Sequence, residues 1–247
     1  MKTKERVLVI ATELFNRNGV GVITTNHIAK AMNISPGNLY FHYDNKEEII
    51  AEIFKRMCRE TYIVWGPRRN RQTQPLQFIE ENFEIYWKYR FFHREMYALR
   101  RKDVRLAKMW KLHIQKMIRM MGITYRRWVK NGMVNKISNA RELTYVSESL
   151  LAMSTTFLQF FESAERMPLK QSIERGKHHV ARLLLPYCLG ETKDSLENFL
   201  KKLEINRRQE REFRRVKAQS HTLKSDNRDL RRMSLMDDLT GLHNTRY

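Results

Sequence analysis

The sequence predicts an all-α protein, and three observations predict it. Glycine and proline are scarce, nine and five in 247 residues, which favours long uninterrupted helices over turn-rich β structure. Apolar residues recur at steps of three and four through most of the chain. No stretch alternates apolar and polar residues long enough to read as a strand, and no internal repeat is present.

The elements follow in order. From Lys4 to Asn18, residues Val7, Ala11, Leu14 and Phe15 share one helical face, and Gly19 is the stop signal. A short helix runs from about Thr24 to Met32 with Ile28, Ala29 and Met32 inward, and Thr24 or Thr25 can cap it. The three-residue break "NIS" leads to a third helix beginning at Ser35, and two short helices joined so tightly form a helix-turn-helix. Residues 46–65 form the next helix. One long helix is expected from Leu76 to about Lys102, followed by helices over 103–120, 123–131, 139–165 and 168–187. The charged stretch from Glu191 to Ser234 carries Leu196, Phe199, Leu203, Phe213, Val216, Leu223 and Leu230 at roughly heptad spacing. With Asn227 as a polar seam residue it reads as a coiled-coil-like helical tail.

Composition narrows the function. Forty-seven lysines and arginines against 27 aspartates and glutamates give a formal charge of +20, so the partner is expected to be a polyanion, nucleic acid first. No apolar run approaches a membrane span, and the N-terminus lacks a secretory signal, which points to the cytoplasm. Cys58 and Cys188 stand alone without metal-ligand or disulfide spacing. His178 and His179 are adjacent and so do not share a helix face. No metalloprotease, nucleophile-elbow, phosphate-loop or dinucleotide motif appears. Neither an enzyme nor a cofactor or metal is expected.

The chemistry concentrates in "NISPGNLYFHYDNKEEII", Asn33 to Ile50. Ser35 before Pro36 is a favoured helix start. Gly37 lets the backbone approach a surface closely. Asn38, at the third helical position, suits the edge of an adenine in a major groove. Tyr40 and His42 suit phosphate oxygens, while Leu39 and Tyr43 face inward. Asn45 and Glu48 form a capping-box-like pair for the next helix. Lys46 stands at that helix's first turn, where an anion is already favoured, and reads as a phosphate clamp.

Residues 3–54 resemble the DNA-binding domain of the tetracycline-repressor (TetR) family through "ATELFNRNG", "TTNHIAKAMNIS" and "PGNLYFHYDNKEEII". The resemblance implies a homodimer that reads a pseudo-palindromic double-stranded DNA operator, with contact roles for Thr24, Thr25, Ser35, Pro36, Gly37, Asn38, Tyr40, His42 and Lys46. It further implies a helical effector and dimerisation domain. The domains expected are 1–54 for DNA, 55–190 for effector and dimer, 191–235 for the tail, and a final piece over 236–247. The aromatic residues Phe78, Phe83, Tyr86, Trp87, Tyr89, Phe91, Phe92 and Tyr97 are candidates to line a cavity for an apolar small-molecule effector. The last residues, "MDDLTGLHNTRY", resemble the opening motif of GGDEF diguanylate cyclase domains. That resemblance suggests an alternative, the input half of a truncated signalling protein that once carried or still encodes a C-terminal cyclase domain; a degenerate remnant and a chance match are the other readings of these residues.

Overall fold

The computed structural model describes residues 2–66, 73–164, 167–202 and 219. The chain divides into two units, Met1–Asn198 and Phe199–Tyr247, and the architecture below is that of the first. Most of the heptad-like tail and all of the cyclase-like end lie outside the described residues.

Three helices form the N-terminal headpiece: α1 (Thr3–Asn18), α2 (Thr25–Met32) and α3 (Pro36–Tyr40). Their apolar stripes converge, so that Val7, Ala11, Phe15, Ile28 and Leu39 are fully buried. The tight turn between α2 and α3 needs a left-handed residue, and Asn33 supplies it at φ 57°, ψ 45°. Asparagine tolerates that region better than other side-chain-bearing residues. Tyr43 closes the small core and donates its hydroxyl to Lys4 O at 3.2 Å.

Helix α4 (Lys46–Trp65) belongs to both parts. Its first turns bury Ile49, Ile50 and Ile53, while Phe54 packs against Phe92 and Trp110 of the helical body. The body consists of α5 (Pro75–Lys88), α6 (Arg90–Lys102), α7 (Val104–Lys130), α8 (Ala140–Ala164) and α9 (Leu169–Leu184), with a short 3₁₀ turn over Leu185–Tyr187. Residues 190–202 are helical, and Thr192 donates to Gln74 Oε1 at 2.7 Å. Among the described residues there is no strand, only an isolated bridge between Val134 and Cys188. Gly176 marks the tightest crossing. A Cβ there would sit 2.5 Å from Phe157 and 2.7 Å from Phe83, so α9 reaches α5 and α8 only because this position has no side chain.

Two expected boundaries are corrected. The single helix from Leu76 to Lys102 is broken at Tyr89, whose φ and ψ are −114° and 34°. The cause is a side chain from 73 residues earlier: the Asn16 amide donates to Lys88 O at 2.9 Å and accepts Phe91 N–H at 3.1 Å. It satisfies a backbone group on each side of the break, where an uncapped end would leave them unpaired. Conversely, the expected helices over 103–120 and 123–131 are one helix, α7. Gly122 costs about 1 kcal/mol relative to alanine in mid-helix. Burial of Met117, Met121, Tyr125 and Trp128 on the adjoining turns outweighs that.

Two histidines sit inside the body. His93 stacks on Tyr86 with ring centroids 4.5 Å apart, and His113 Nδ1 lies 3.3 Å from Cys58 Sγ and 3.1 Å from the Tyr62 hydroxyl. Burial pushes both imidazoles down to about 4 and raises the Cys58 thiol to about 12. At neutral pH these groups are uncharged packing elements with hydrogen bonds, since an ionised form would be desolvated.

Candidate nucleic-acid interface and effector cavity

The nine residues expected to touch DNA lie on α2, α3, their N-caps, the turn after α3 and the start of α4. Thr24 caps α2: its hydroxyl accepts His27 N–H at 3.3 Å, and His27 Nδ1 accepts Thr24 N–H at 3.3 Å. Ser35 caps α3 by accepting Asn38 N–H at 3.1 Å, and Pro36 follows at the first helical position. Both caps satisfy backbone donors that helix ends leave open. Gly37 faces open space, with nothing nearer to a built Cβ than Ser35 Oγ at 3.9 Å. The Asn38 side chain is exposed beside it. Together these two leave the first turn of α3 unobstructed to an approaching surface.

Thr25 and Tyr40 join the two helices of the motif, their hydroxyls 2.9 Å apart. The bond orients the Tyr40 ring, which remains 47% exposed. His42 is half-buried, its ring edge-on to Phe41 at 5.2 Å.

Lys46 has a structural task. Its ammonium donates to Val20 O and Ile23 O, both at 2.9 Å. Three N–H bonds are available on an ammonium group, so one remains for an external acceptor. The side chain therefore staples the turn between α1 and α2 to the start of α4. Asn45 caps α4 through Glu48 N–H at 2.8 Å, and the Glu48 carboxylate accepts Asp44 N–H at 2.7 Å.

Phe41 escaped the sequence reading. It is 84% exposed and is the C-cap of α3, directly after Tyr40. A signal was present in "LYFHY": Leu39 and Tyr43 take the inward positions four apart, so the ring at 41 has to project outward. Val22, 67% exposed, adds a second apolar side chain in the turn that Lys46 staples.

The body holds a cavity enclosed by α4, α5, α7, α8 and α9. Trp65, Phe78, Asn82, Tyr86, Met121, Trp128, Leu150 and Val180 are among its walls, and among the described residues no charged one lines it. The centre of a water-sized sphere can range over about 40 Å³. Its polar groups are engaged internally. Trp65 Nε1 donates to Asn82 Oδ1 at 2.8 Å, Asn82 Nδ2 to Phe78 O at 2.6 Å, and Ser147 to Leu143 O at 2.8 Å. Tyr125 and Trp128 donate to the carbonyls of Asn135 and Thr73. Of the aromatic residues proposed from the sequence, Phe78, Phe83 and Tyr86 line this space. Phe91 and Phe92 instead pack at the headpiece, against Phe15 and Phe54. Tyr89 is buried at the helix break, and Trp87 and Tyr97 are exposed. Among the described residues no cluster of histidine, cysteine or carboxylates has metal-site geometry, and no helix is long and apolar enough to cross a membrane.

A capped helix-turn-helix mounted on an all-helical body that encloses an apolar cavity defines the class of a DNA-binding regulator. Comparison with known proteins agrees. The family model described as "Bacterial regulatory proteins, tetR family" matches residues 7–53, and the TetR model described as "Bacterial transcriptional repressor" matches residues 53–196. The chain belongs to the TetR family of transcriptional regulators. It is 43% identical over 53 residues to the regulator QacR of Staphylococcus aureus, covering 22% of this chain and 28% of that one. It is 27% identical over 103 residues to IcaR, the negative regulator of the biofilm operon icaADBC in Staphylococcus epidermidis, covering 42% of this chain and 50% of that protein. These matches thus span half or less of the relatives' own length. A TetR-family regulator from Marinobacter aquaeolei VT8 superposes with a TM-score of 0.72 at 29% identity, covering 82% of this chain and 99% of that structure.

The staple makes a separable prediction. Lys46→Met should lower stability by about 1–3 kcal/mol through loss of two charge-assisted bonds, read as a shift in urea midpoint without DNA. An unchanged midpoint would show that the turn is held by other means.

Proposed function

We propose that the protein is a dimeric, ligand-responsive repressor that binds a pseudo-palindromic operator through its helix-turn-helix. The observation that carries this reading is the first turn of α3, where a capped N-terminus, an unobstructed Gly37 and the exposed Asn38 amide coincide. In this reading Asn38 reads a base edge, and Phe41 makes apolar contact with thymine methyl groups or sugars. Thr24, Thr25, Ser35, Tyr40 and His42 position the duplex, and the remaining N–H of Lys46 goes to a phosphate. Domain limits near 54 and 190 follow from the same division of labour. The name of IcaR, a negative transcriptional regulator, supports repression, and that of QacR supports transcriptional regulation.

Two recognition helices must enter successive major-groove turns, about 34–36 Å apart, so a dimer is required. The face that suits it is on α8, where Tyr145, Ser149, Ala152, Thr156 and Phe160 are exposed at successive steps of four, three, four and four. Small residues at its centre permit close approach, while Tyr145 and Phe160, each 59% exposed, offer apolar anchors at its ends. The charge-free cavity suits an uncharged, apolar effector, because an ion there would lack a partner.

Three outcomes test these assignments. Against an operator selected from random duplexes, Asn38→Ala should lose about 1–3 kcal/mol of preference over scrambled DNA in gel-shift titration. Equal wild-type affinity for selected and scrambled duplexes would reject the repressor reading. Thr156→Arg should sediment as a monomer and lose operator binding; a stable dimer would move the interface elsewhere. Leu150→Trp should fill the cavity and abolish release of DNA by any apolar effector found in a screen, whereas an undiminished response would place the effector site outside it.

A further inference from the structure

The positive charge of this protein is not where its DNA reader is. Residues 1–54 hold Lys2, Lys4, Arg6, Arg17, Lys30 and Lys46 against Glu5, Glu13, Asp44, Glu47, Glu48 and Glu52, a net charge of zero. Residues 100–130 hold eleven lysines and arginines against one acid, Asp103, which is half of the chain's +20. The Asp103 carboxylate caps α7, accepting the N–H groups of Arg105 and Leu106 at 2.8 and 3.1 Å.

Helix α7 buries Leu106, His113, Met117, Met121, Thr124 and Trp128. On the opposite side, Arg105, Lys108, Arg119, Arg126 and Lys130 are exposed. At 100° per residue these five fall within an arc of about 60°, a straight ridge about 38 Å long. Among the described residues none of them has a carboxylate at ion-pair distance, whereas Arg56, Lys88, Arg94 and Lys177 each do. Holding five unneutralised cations in line costs repulsion that apolar packing of the other face does not explain. The exposed Val104, Leu112 and Ile123 stand singly along the helix, too far apart for a contiguous apolar patch.

We propose that this ridge is a second DNA-contacting surface, which takes duplex phosphates outside the helix-turn-helix footprint without reading sequence. The inference rests on the DNA-binding reading above. Counterion release from phosphate neutralisation supplies much of the affinity of a DNA-binding protein, and residues 1–54 hold only six of the chain's 47 lysines and arginines, beside as many acids. The ridge begins beside the headpiece. The Arg100 guanidinium lies 5.4 Å over the Trp110 ring, which packs 6.0 Å from Phe54 on α4. Phe54 is eight residues, about 12 Å, from Lys46 at the edge of the reading face. Helix α7 then runs beside α4, with His113 against Cys58 and Tyr62, so the ridge leads from the headpiece along the body, and a duplex that wraps toward the body meets its cations in turn.

The test is the variant Lys108→Gln, Arg119→Gln, Arg126→Gln, Lys130→Gln in the full chain, with circular dichroism and the urea midpoint establishing that it folds. On a 60-bp mixed-sequence duplex titrated from 50 to 300 mM KCl, its log–log salt slope should be shallower than wild type by about 3–4, at roughly 0.9 per phosphate. Its affinity should fall at least tenfold, and its binding to a selected operator duplex of about 16 bp should stay near wild type. An unchanged slope on the long duplex overturns the proposal. So does an equal loss on the short one, which would reveal only a general change of charge. Loss of flotation with vesicles of 30% phosphatidylglycerol, with duplex binding intact, would assign the ridge to membranes and also overturn it. Asn38→Ala run in parallel keeps the two readings apart: unaltered sequence preference there would sink the helix-turn-helix assignment, whatever the ridge variant does.

Discussion

The side chain of Asn16 holds the joint on which the rest of the molecule depends. It is 7% exposed, and its amide bonds one backbone group on each side of the break between α5 and α6. Its own carbonyl accepts Arg94 Nη1 at 3.3 Å, and Arg94 forms a two-pronged pair with Glu162, both bonds 2.6 Å. One residue on, Glu95 accepts Val20 N–H at 3.0 Å. Removing the amide would leave buried backbone groups unpaired, which costs more than a single bond contributes. Because α5 walls the cavity and ends on this joint, two hydrogen bonds from α1 tie the cavity wall to the headpiece.

The same economy recurs at Lys46, a side chain with a structural and a prospective functional role. Two of its hydrogens hold the turn that presents Val22 and Thr24, so the geometry of α2 depends on a residue at the start of α4. The headpiece thereby spends its few charges on organisation: Glu5 pairs with Arg56 and Glu48 caps. In the proposed reading, base reading and positional contact fall to neutral groups such as Asn38, Tyr40 and Phe41. As proposed, long-range attraction falls to α7, where charge density costs less because the cations stand apart on an exposed ridge.

Much of this was legible in the sequence. Helix starts carry their own chemistry, so Thr24, Ser35 and Asn45 marked three caps that the structure contains. The inward positions of Ile28, Leu39 and Tyr43 followed from helical period. What escaped was set by distant partners. Nothing local in "YWKYRFF" signals a break, since the interrupting group comes from α1. Gly122 looked like a break because local propensity is weak evidence against a long buried stripe. The aromatic run from Phe78 to Tyr97 read as one surface. It serves two places, the cavity wall and the seat of the headpiece, because the break at Tyr89 redirects the second half.

The sequence by itself determined the class of the protein: an all-α chain with a helix-turn-helix whose caps, turn residue and exposed first turn are all short-range features. Such features depend mainly on residues within about four positions of one another, so their chemistry is written in the local sequence. The tertiary structure alone decided how the parts are joined and where charge is free. Whether a cation is paired, an amide bridges a helix break, or an aromatic ring walls a cavity depends on groups tens of residues away, brought together only when the apolar faces close.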